Sequence, residues 1–114
     1  MVKSILTFAV ALPLLAVSQT SSADTLSACT SVTDDLERQG VIRSGGITRE
    51  RVTIYVSGNW YRLDFEEKSA VATCLNMRIA GGEGKTLSVP IVFLDGTSGR
   101  EQARFERGRL AATD

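Results

Sequence analysis

Three carboxylates that lie close together in the sequence, Asp64, Glu66 and Glu67, could support acid–base chemistry. Paired carboxylates divide the acid and base roles of a hydrolase when their environments hold their pKa values apart. On the helix predicted below, Asp64 lies one turn before Lys68, and Arg62 lies one turn before Glu66. That spacing favours surface ion pairs. Glu67 falls on the apolar side of the same helix, where an unpaired carboxylate is costly. We therefore single out Glu67 as a polar site that the predicted packing does not explain.

Other catalytic and ligand-binding patterns are missing from the sequence. There is no histidine, which removes the commonest general base and the commonest metal ligand. Residues 82–86, GEGKT, are similar to the end of a phosphate-binding loop, but Ile79 stands where that loop needs glycine. The segment also follows a helix instead of preceding one. Acidic and basic side chains balance at 13 each. We predict a non-enzymatic protein without metal, cofactor, nucleotide or nucleic acid.

Two cysteines, Cys29 and Cys74, predict a disulfide, because an even number in a small exported domain is typical of one. A second interpretation stays open. Residues 26–29, LSAC, match the pattern in which bacterial lipoproteins are acylated on the cysteine. That pattern normally follows an apolar run directly, whereas here a mostly polar segment intervenes. The two interpretations exclude each other, since acylation of Cys29 would leave Cys74 without a partner.

The first 23 residues have the composition of a secretory signal peptide. Lys3 supplies a positive start, residues 4–17 are an apolar run, and Ser21 and Ala23 occupy the small-residue positions of a cleavage site before Asp24. The run is shorter than the roughly 20 apolar residues that a membrane-spanning helix needs. We predict a cleaved signal peptide at 1–23 and a single exported domain at 24–114, in the periplasm or secreted from a bacterium.

Hydrophobic periodicity predicts five elements in the remaining chain. A first helix is predicted at Thr25–Gln39, ended by Gly40, and a long central helix at Asn59–Gly82. The other predicted elements are strands, a glycine-marked loop, a turn and a frayed tail, namely strands at 51–57, 86–94 and 102–107, a loop at 43–49, a turn at 95–99 and a tail at 108–114. The element order is therefore α-β-α-β-β.

The predicted fold class is α/β (α+β), a small two-layer sandwich in which both helices cover one face of a three-stranded sheet. The first and third predicted strands alternate apolar and polar residues, which indicates one solvated face. Pro90 cannot donate a ladder hydrogen bond, so the second predicted strand is expected at an edge. This gives the strand order 1-3-2, with the Cys29–Cys74 disulfide joining the helices.

The sheet face away from the helices is the candidate binding surface. Tyr55, Val92, Leu94 and Arg104 are predicted to share it, as an apolar patch with an arginine beside it. With the export signal, this patch predicts a small exported protein that binds another protein or an envelope component. Two alternatives remain, a lipid-anchored envelope protein acylated at Cys29, and a carboxylate-based hydrolase.

Overall fold

The computed structural model describes residues 22–82 and 84–113 and shows a mixed α+β fold, with two α-helices and a five-stranded sheet. The predicted signal peptide lies almost entirely outside the described residues and stays a prediction. The elements in chain order are α1 (Ser22–Arg38), β1 (Ile42–Ile47), β2 (Val52–Val56), a 3-10 helix (Gly58–Arg62), α2 (Phe65–Ala80), β3 (Ile91–Asp95), β4 (Glu101–Glu106) and β5 (Arg109–Ala112).

The two helices are cross-linked, as the cysteine count predicts. Cys29 on α1 and Cys74 on α2 form a disulfide with a Cα–Cα distance of 5.0 Å. Arg78 of α2 donates to the fully buried Thr33 hydroxyl at 2.8 Å and pairs with Asp34 at 2.9 Å, so polar contacts reinforce the covalent link. Gly40 ends α1 with φ 77°, a left-handed conformation that glycine adopts without steric cost.

The five strands lie in the sheet in the order in which they occur along the chain, β1-β2-β3-β4-β5. Only β2 and β3 are parallel, and α2 lies in the connection between them. The other three neighbouring pairs are antiparallel. The predicted 95–99 turn does join an antiparallel pair, β3 and β4.

The predicted three-stranded sheet with strand order 1-3-2 is wrong. The expected second strand is central as β3, because it begins at Ile91 and Pro90 lies outside its ladder. Pro90 contributes only its carbonyl, which accepts from the Val52 amide at 2.9 Å. The missing proline donor therefore does not force this strand to an edge. The preceding residues form a loop that Asn76 of α2 holds through the Leu87 amide at 3.2 Å.

Two further strands occupy segments predicted to be loop and tail. β1 contains the Gly45-Gly46 pair, which sits at an irregularity in the pairing with β2 rather than in a connecting loop. β5 follows a two-residue turn in which Arg107 and Gly108 both have positive φ, 53° and 78°. Such turns favour Asn-Gly, so the Arg-Gly pair gave a weak sequence signal.

The predicted Asn59–Gly82 helix is two elements. A 3-10 helix carries Trp60, the backbone is extended at Leu63, and α2 begins after Asp64. Trp60 is 1% exposed and its ring stacks on Phe93 of β3, with centroids 4.9 Å apart. The extended backbone at Leu63 therefore separates the 3-10 helix, which carries the buried tryptophan, from α2.

One face of the sheet and the helices enclose the hydrophobic core. α2 contributes Val71, Ala72 and Leu75, and Leu36 of α1 packs at the margin. The sheet contributes residues that alternate along the strands, namely Ile42, Val52, Ile54, Val56, Ile91, Phe93, Ala103, Phe105 and Leu110. Val92 and Leu94 alternate with these residues and do not belong to this cluster, because they lie on the opposite sheet face.

Candidate functional site

The carboxylates of Asp64 and Glu67 build the start of α2. Asp64 accepts from the Glu67 amide at 2.7 Å, and Glu67 accepts from the Asp64 amide at 2.9 Å. This reciprocal arrangement is a capping box, which satisfies two amide groups that a helix start leaves without partners. Both residues are exposed. The position of Glu67 therefore has a structural explanation, and the expected Asp64–Lys68 ion pair does not form among the described residues.

The four residues of the predicted binding face lie side by side. The strand register places Tyr55 opposite Leu94, and Val92 opposite Arg104. Val92 is 0% exposed and Leu94 is 9% exposed, so both aliphatic side chains are buried. The face does not offer the open apolar patch that the alternation of residues predicted. Of the four residues, Arg104 and Tyr55 are the more accessible.

Side chains on this face are held in place by specific contacts. Arg104 makes two hydrogen bonds to Glu101, at 3.0 and 3.2 Å. These bonds raise the pKa of Arg104 and lower the pKa of Glu101. The Arg43 guanidinium lies over the Tyr55 ring, 4.5 Å from its centroid. Arg104 is therefore engaged within the chain, whereas Arg43 has a stacking contact and no carboxylate partner among the described residues.

A groove of about 240 Å³ lies on the helix side of the sheet, where the start of α2 meets β4 and β5. Ala103 of β4 and Ala112 of β5 are opposite each other in the strand register and form the floor of the groove. Their small side chains leave the space above them unfilled. Its walls are largely aromatic, with Tyr61 45% exposed and Phe65 55% exposed. The residues that line it are Trp60, Tyr61, Phe65, Lys68, Gln102, Ala103, Leu110 and Ala112.

Lys68 gives this aromatic groove a positive charge. Its side chain is half-buried, and Nζ lies 5.5 Å from the centroid of the Trp60 ring. A cation over an aromatic face is attracted by the electron-rich ring. Within the described part of the chain, Lys68 forms no ion pair. The groove therefore combines apolar walls with one cation that an acidic ligand group could neutralise.

Tyr61 also makes a hydrogen bond outside the groove: its hydroxyl donates to the Asp95 carboxylate at 2.5 Å. The amides of Thr97 and Ser98 donate to the other carboxylate oxygen, at 2.8 and 2.7 Å. The Tyr61 hydrogen bond and these amides lower the pKa of Asp95 to about 2. Burial, followed by the hydrogen bond to Asp95, raises the pKa of Tyr61 to about 12.

The aromatic groove was not predicted from the sequence. It depends on β5 and on the separate 3-10 helix, and neither element was expected. The available signal was the spacing of Trp60, Tyr61 and Phe65, three aromatic residues in a chain that is 6% aromatic. Large side chains clustered beside small alanines indicate an incompletely filled space only once the strand pairing is known.

Searches for a metal site, a membrane-spanning helix and similar proteins found none of the three, the first two within the described residues. The described residues contain no group of acidic or cysteine side chains arranged to hold a metal ion. No helix within the described ranges has the length and apolar character needed to cross a membrane. Family models, curated proteins and solved structures were each compared with the chain, and none gives a significant match.

Proposed function

We propose that the protein is a small, exported, non-enzymatic binding protein that takes an extended acidic segment of another protein along β5. Side chains of that segment would enter the aromatic groove defined above. The observation that carries the proposal is the position of the groove, which opens beside an edge strand and carries exposed aromatic walls. Export to the periplasm or the exterior is proposed from the N-terminal sequence, and the disulfide supports it because such bonds persist in oxidising compartments.

The free edge of β5 supplies the main-chain part of this recognition. β5 ends the sheet order, so one of its sides has no neighbouring strand among the residues that the structure describes. An added peptide strand would continue the ladder, and its alternate side chains would point to the helix side of the sheet. Leu110 and Ala112 of β5 line the groove on that side. A peptide strand added to β5 would therefore place alternate side chains beside the groove.

The aromatic walls supply the apolar part of recognition. Tyr61 and Phe65 are two of the four large hydrophobic side chains that are exposed among the described residues. Both line the same groove. Aromatic residues are enriched at protein interfaces, where they bury a large area at a low cost in conformational entropy. A partner side chain between Phe65 and Ala112 would cover this surface.

The positive charge of Lys68 is the reason for proposing that the bound segment is acidic. A half-buried ammonium group is partly desolvated, and an opposite charge from a partner would offset that cost. A glutamate or aspartate, or the carboxylate at the end of a chain, would provide the charge. Replacing Lys68 with methionine should keep the apolar contacts and weaken the preference for acidic peptides.

The test is selection of a random peptide library, displayed on phage, against the oxidised protein comprising residues 24–114. We expect enriched peptides with acidic residues, bound by the wild type and lost in Phe65→Asp. Filling the groove with Ala112→Phe should have the same effect. The matched control is Val32→Asp, which places the same charge on an exposed apolar residue of α1. No enrichment, or equal binding to Phe65→Asp and wild type, would refute the proposal.

The two alternative functions receive less support. An acyl chain on Cys29 requires a covalent state other than the disulfide found here. A hydrolase built on Asp64 and Glu67 would use carboxylates that cap α2. The intact mass of the protein purified from its native envelope distinguishes the covalent states, because the disulfide removes two hydrogen atoms and acylation adds the mass of fatty-acid chains.

A further inference from the structure

A second cavity lies at the end of the sheet where the parallel strands β2 and β3 finish. Its volume is about 460 Å³, within the range of small-molecule sites. In sheets with parallel strands, ligands commonly bind beyond the carboxyl ends of those strands. The residues that line the cavity are Gly40, Arg43, Tyr55, Val56, Ser57, Gly58, Tyr61, Asp95, Gly96 and Thr97. We call it the strand-end cleft.

Arg43 is the cation of the strand-end cleft, and its stacking on Tyr55 sets its orientation. The ring of Tyr55 lies across Gly45 of β1, where a Cβ atom would come within 2.6 Å of the ring. Only glycine gives the ring this space. A guanidinium group stacked on a ring keeps the N–H groups at its edge available for hydrogen bonds. Arg43 makes no ion pair within the described residues, so these donors can serve a ligand.

Asp95 and Tyr61 add a polar wall that accepts hydrogen bonds. Three donors already neutralise part of the Asp95 charge, namely the Tyr61 hydroxyl and two turn amides. The carboxylate retains acceptor capacity, since its two oxygens offer about four lone-pair sites. The phenolic oxygen of Tyr61, which donates its proton to Asp95, also keeps a lone pair. Hydroxyl groups are the ligand donors that suit such acceptors.

Gly96 brings this polar wall close to the end of β2. Its amide donates to the Val56 carbonyl at 2.8 Å, and a Cβ atom at this position would lie 3.1 Å from that oxygen. The turn after β3 is thereby fastened to the end of β2, on one side of the cleft. Ser57 and Thr97 also line the cleft, and the Ser57 hydroxyl donates to the Gly40 carbonyl.

We propose that the strand-end cleft binds a small hydroxylated carboxylate of the sugar-acid class. The ligand carboxylate would accept two hydrogen bonds from Arg43, and its hydroxyls would donate to Asp95 and Tyr61. A single negative charge suits the cleft better than two, because Asp95 would repel a dianion such as phosphate about twice as strongly as a monoanion at the same distance. This inference does not depend on the peptide groove, since the cleft lies across Tyr61 from it and uses different residues for charge recognition.

The experiment titrates glucuronate into the oxidised, isotope-labelled protein and follows the Arg43 side-chain and Gly96 backbone NMR signals. We expect saturable shifts with glucuronate and much weaker binding of glucose, which has the hydroxyls but no carboxylate. Arg43→Met should weaken glucuronate binding by about tenfold or more, because it removes charge-assisted hydrogen bonds. The matched control is Arg49→Met, which removes an exposed arginine outside the cleft and should leave the affinity within about twofold.

Three results would overturn the proposal. Wild-type protein that shows no saturable shift with glucuronate has no such site. Equal glucuronate binding by Arg43→Met and wild type would exclude the arginine as the anchor. Inorganic phosphate that binds more tightly than glucuronate would exclude the monoanionic class. Asp95→Asn provides a second check, since it should reduce the preference for glucuronate over acetate, which lacks hydroxyls, without abolishing carboxylate binding.

Discussion

Opening the Cys29–Cys74 disulfide should remove a large part of the stability of this domain. The bond closes a loop with a sequence separation of 45 residues. On the chain-entropy account, a loop of that length stabilises the native state by about 4 kcal/mol, as an upper figure. A domain of this size has a total free energy of unfolding of roughly 5–10 kcal/mol. The free energy of unfolding of the reduced protein should therefore be roughly 1–6 kcal/mol.

Urea denaturation followed by fluorescence of Trp60 measures this loss directly. Trp60 is the only tryptophan, and it is buried against Phe93, so its emission reports unfolding of the core. With a urea dependence of roughly 1–1.5 kcal/mol per molar, the midpoint should fall by about 2 M or more on reduction. The urea dependence of the free energy of unfolding should rise slightly on reduction, because the reduced unfolded chain is more expanded.

Comparing two ways of opening the bond separates the cross-link from side-chain packing. Reduced wild type keeps both sulfur atoms, whereas the double variant Cys29→Ala, Cys74→Ala also loses them from a site where Cys29 is 7% exposed. We expect the double variant to be slightly less stable than reduced wild type. If oxidised and reduced wild type unfold at midpoints within about 0.5 M of each other, the loop-entropy argument fails for this fold.

Three further predictions follow from individual contacts. Tyr61→Phe should raise the pKa of Asp95 from about 2 towards its ordinary 3.8, which NMR titration would measure. The ionised Asp95 stabilises the fold above its ordinary pKa, and this contribution is lost as the pH falls towards 2. The contribution should be smaller in the variant, which acid unfolding would measure. Gly45→Ala should cost about 1–3 kcal/mol, because its methyl group would overlap side chains on β2, and urea midpoints measure the cost. Asp64→Ala should cost about 1 kcal/mol by loss of the helix cap, whereas Glu67→Gln, which keeps an acceptor, should cost much less; equal losses would contradict the capping role.

Local sequence signals were sufficient for part of the fold. The first helix, the β2 strand and the β3–β4 turn follow from periodicity and turn residues, and the structure contains all three. The disulfide followed from cysteine number. Gly40 was correctly expected to end α1, because a left-handed residue there leaves few alternatives to glycine.

The remaining errors come from interactions that the local sequence does not contain. β1 was missed because Gly45 and Gly46 are typical of loops, and the reason for Gly45 is a tyrosine ring on the neighbouring strand. β5 was missed because Arg107 occupies a conformation that normally indicates asparagine or glycine. The strand order failed because Pro90 was assigned to a strand that begins one residue later. Each outcome depends on pairing across the sheet.

The candidate sites were predicted less completely than the fold. The four outer-face residues do come together, since strand alternation alone determines which sheet face they share. The burial of Val92 and Leu94 could not be read from alternation, because alternation assigns a residue to a sheet face and does not determine its exposure. The aromatic groove and the strand-end cleft required the positions of β5, β1 and the 3-10 helix, so they emerged only from the three-dimensional arrangement.

The sequential strand order divides the molecule into two unequally restrained parts. The disulfide joins α1 to α2, so it encloses β1 and β2 in its loop, whereas β3, β4 and β5 follow Cys74 and lie outside it. Among the described strands, only the β2–β3 ladder joins the two parts. Amide hydrogen exchange should therefore show the last three strands opening as one unit under conditions where the first part stays protected. At high concentration, that unit could close onto the β2 edge of another molecule and produce an exchanged dimer with intact intramolecular disulfides.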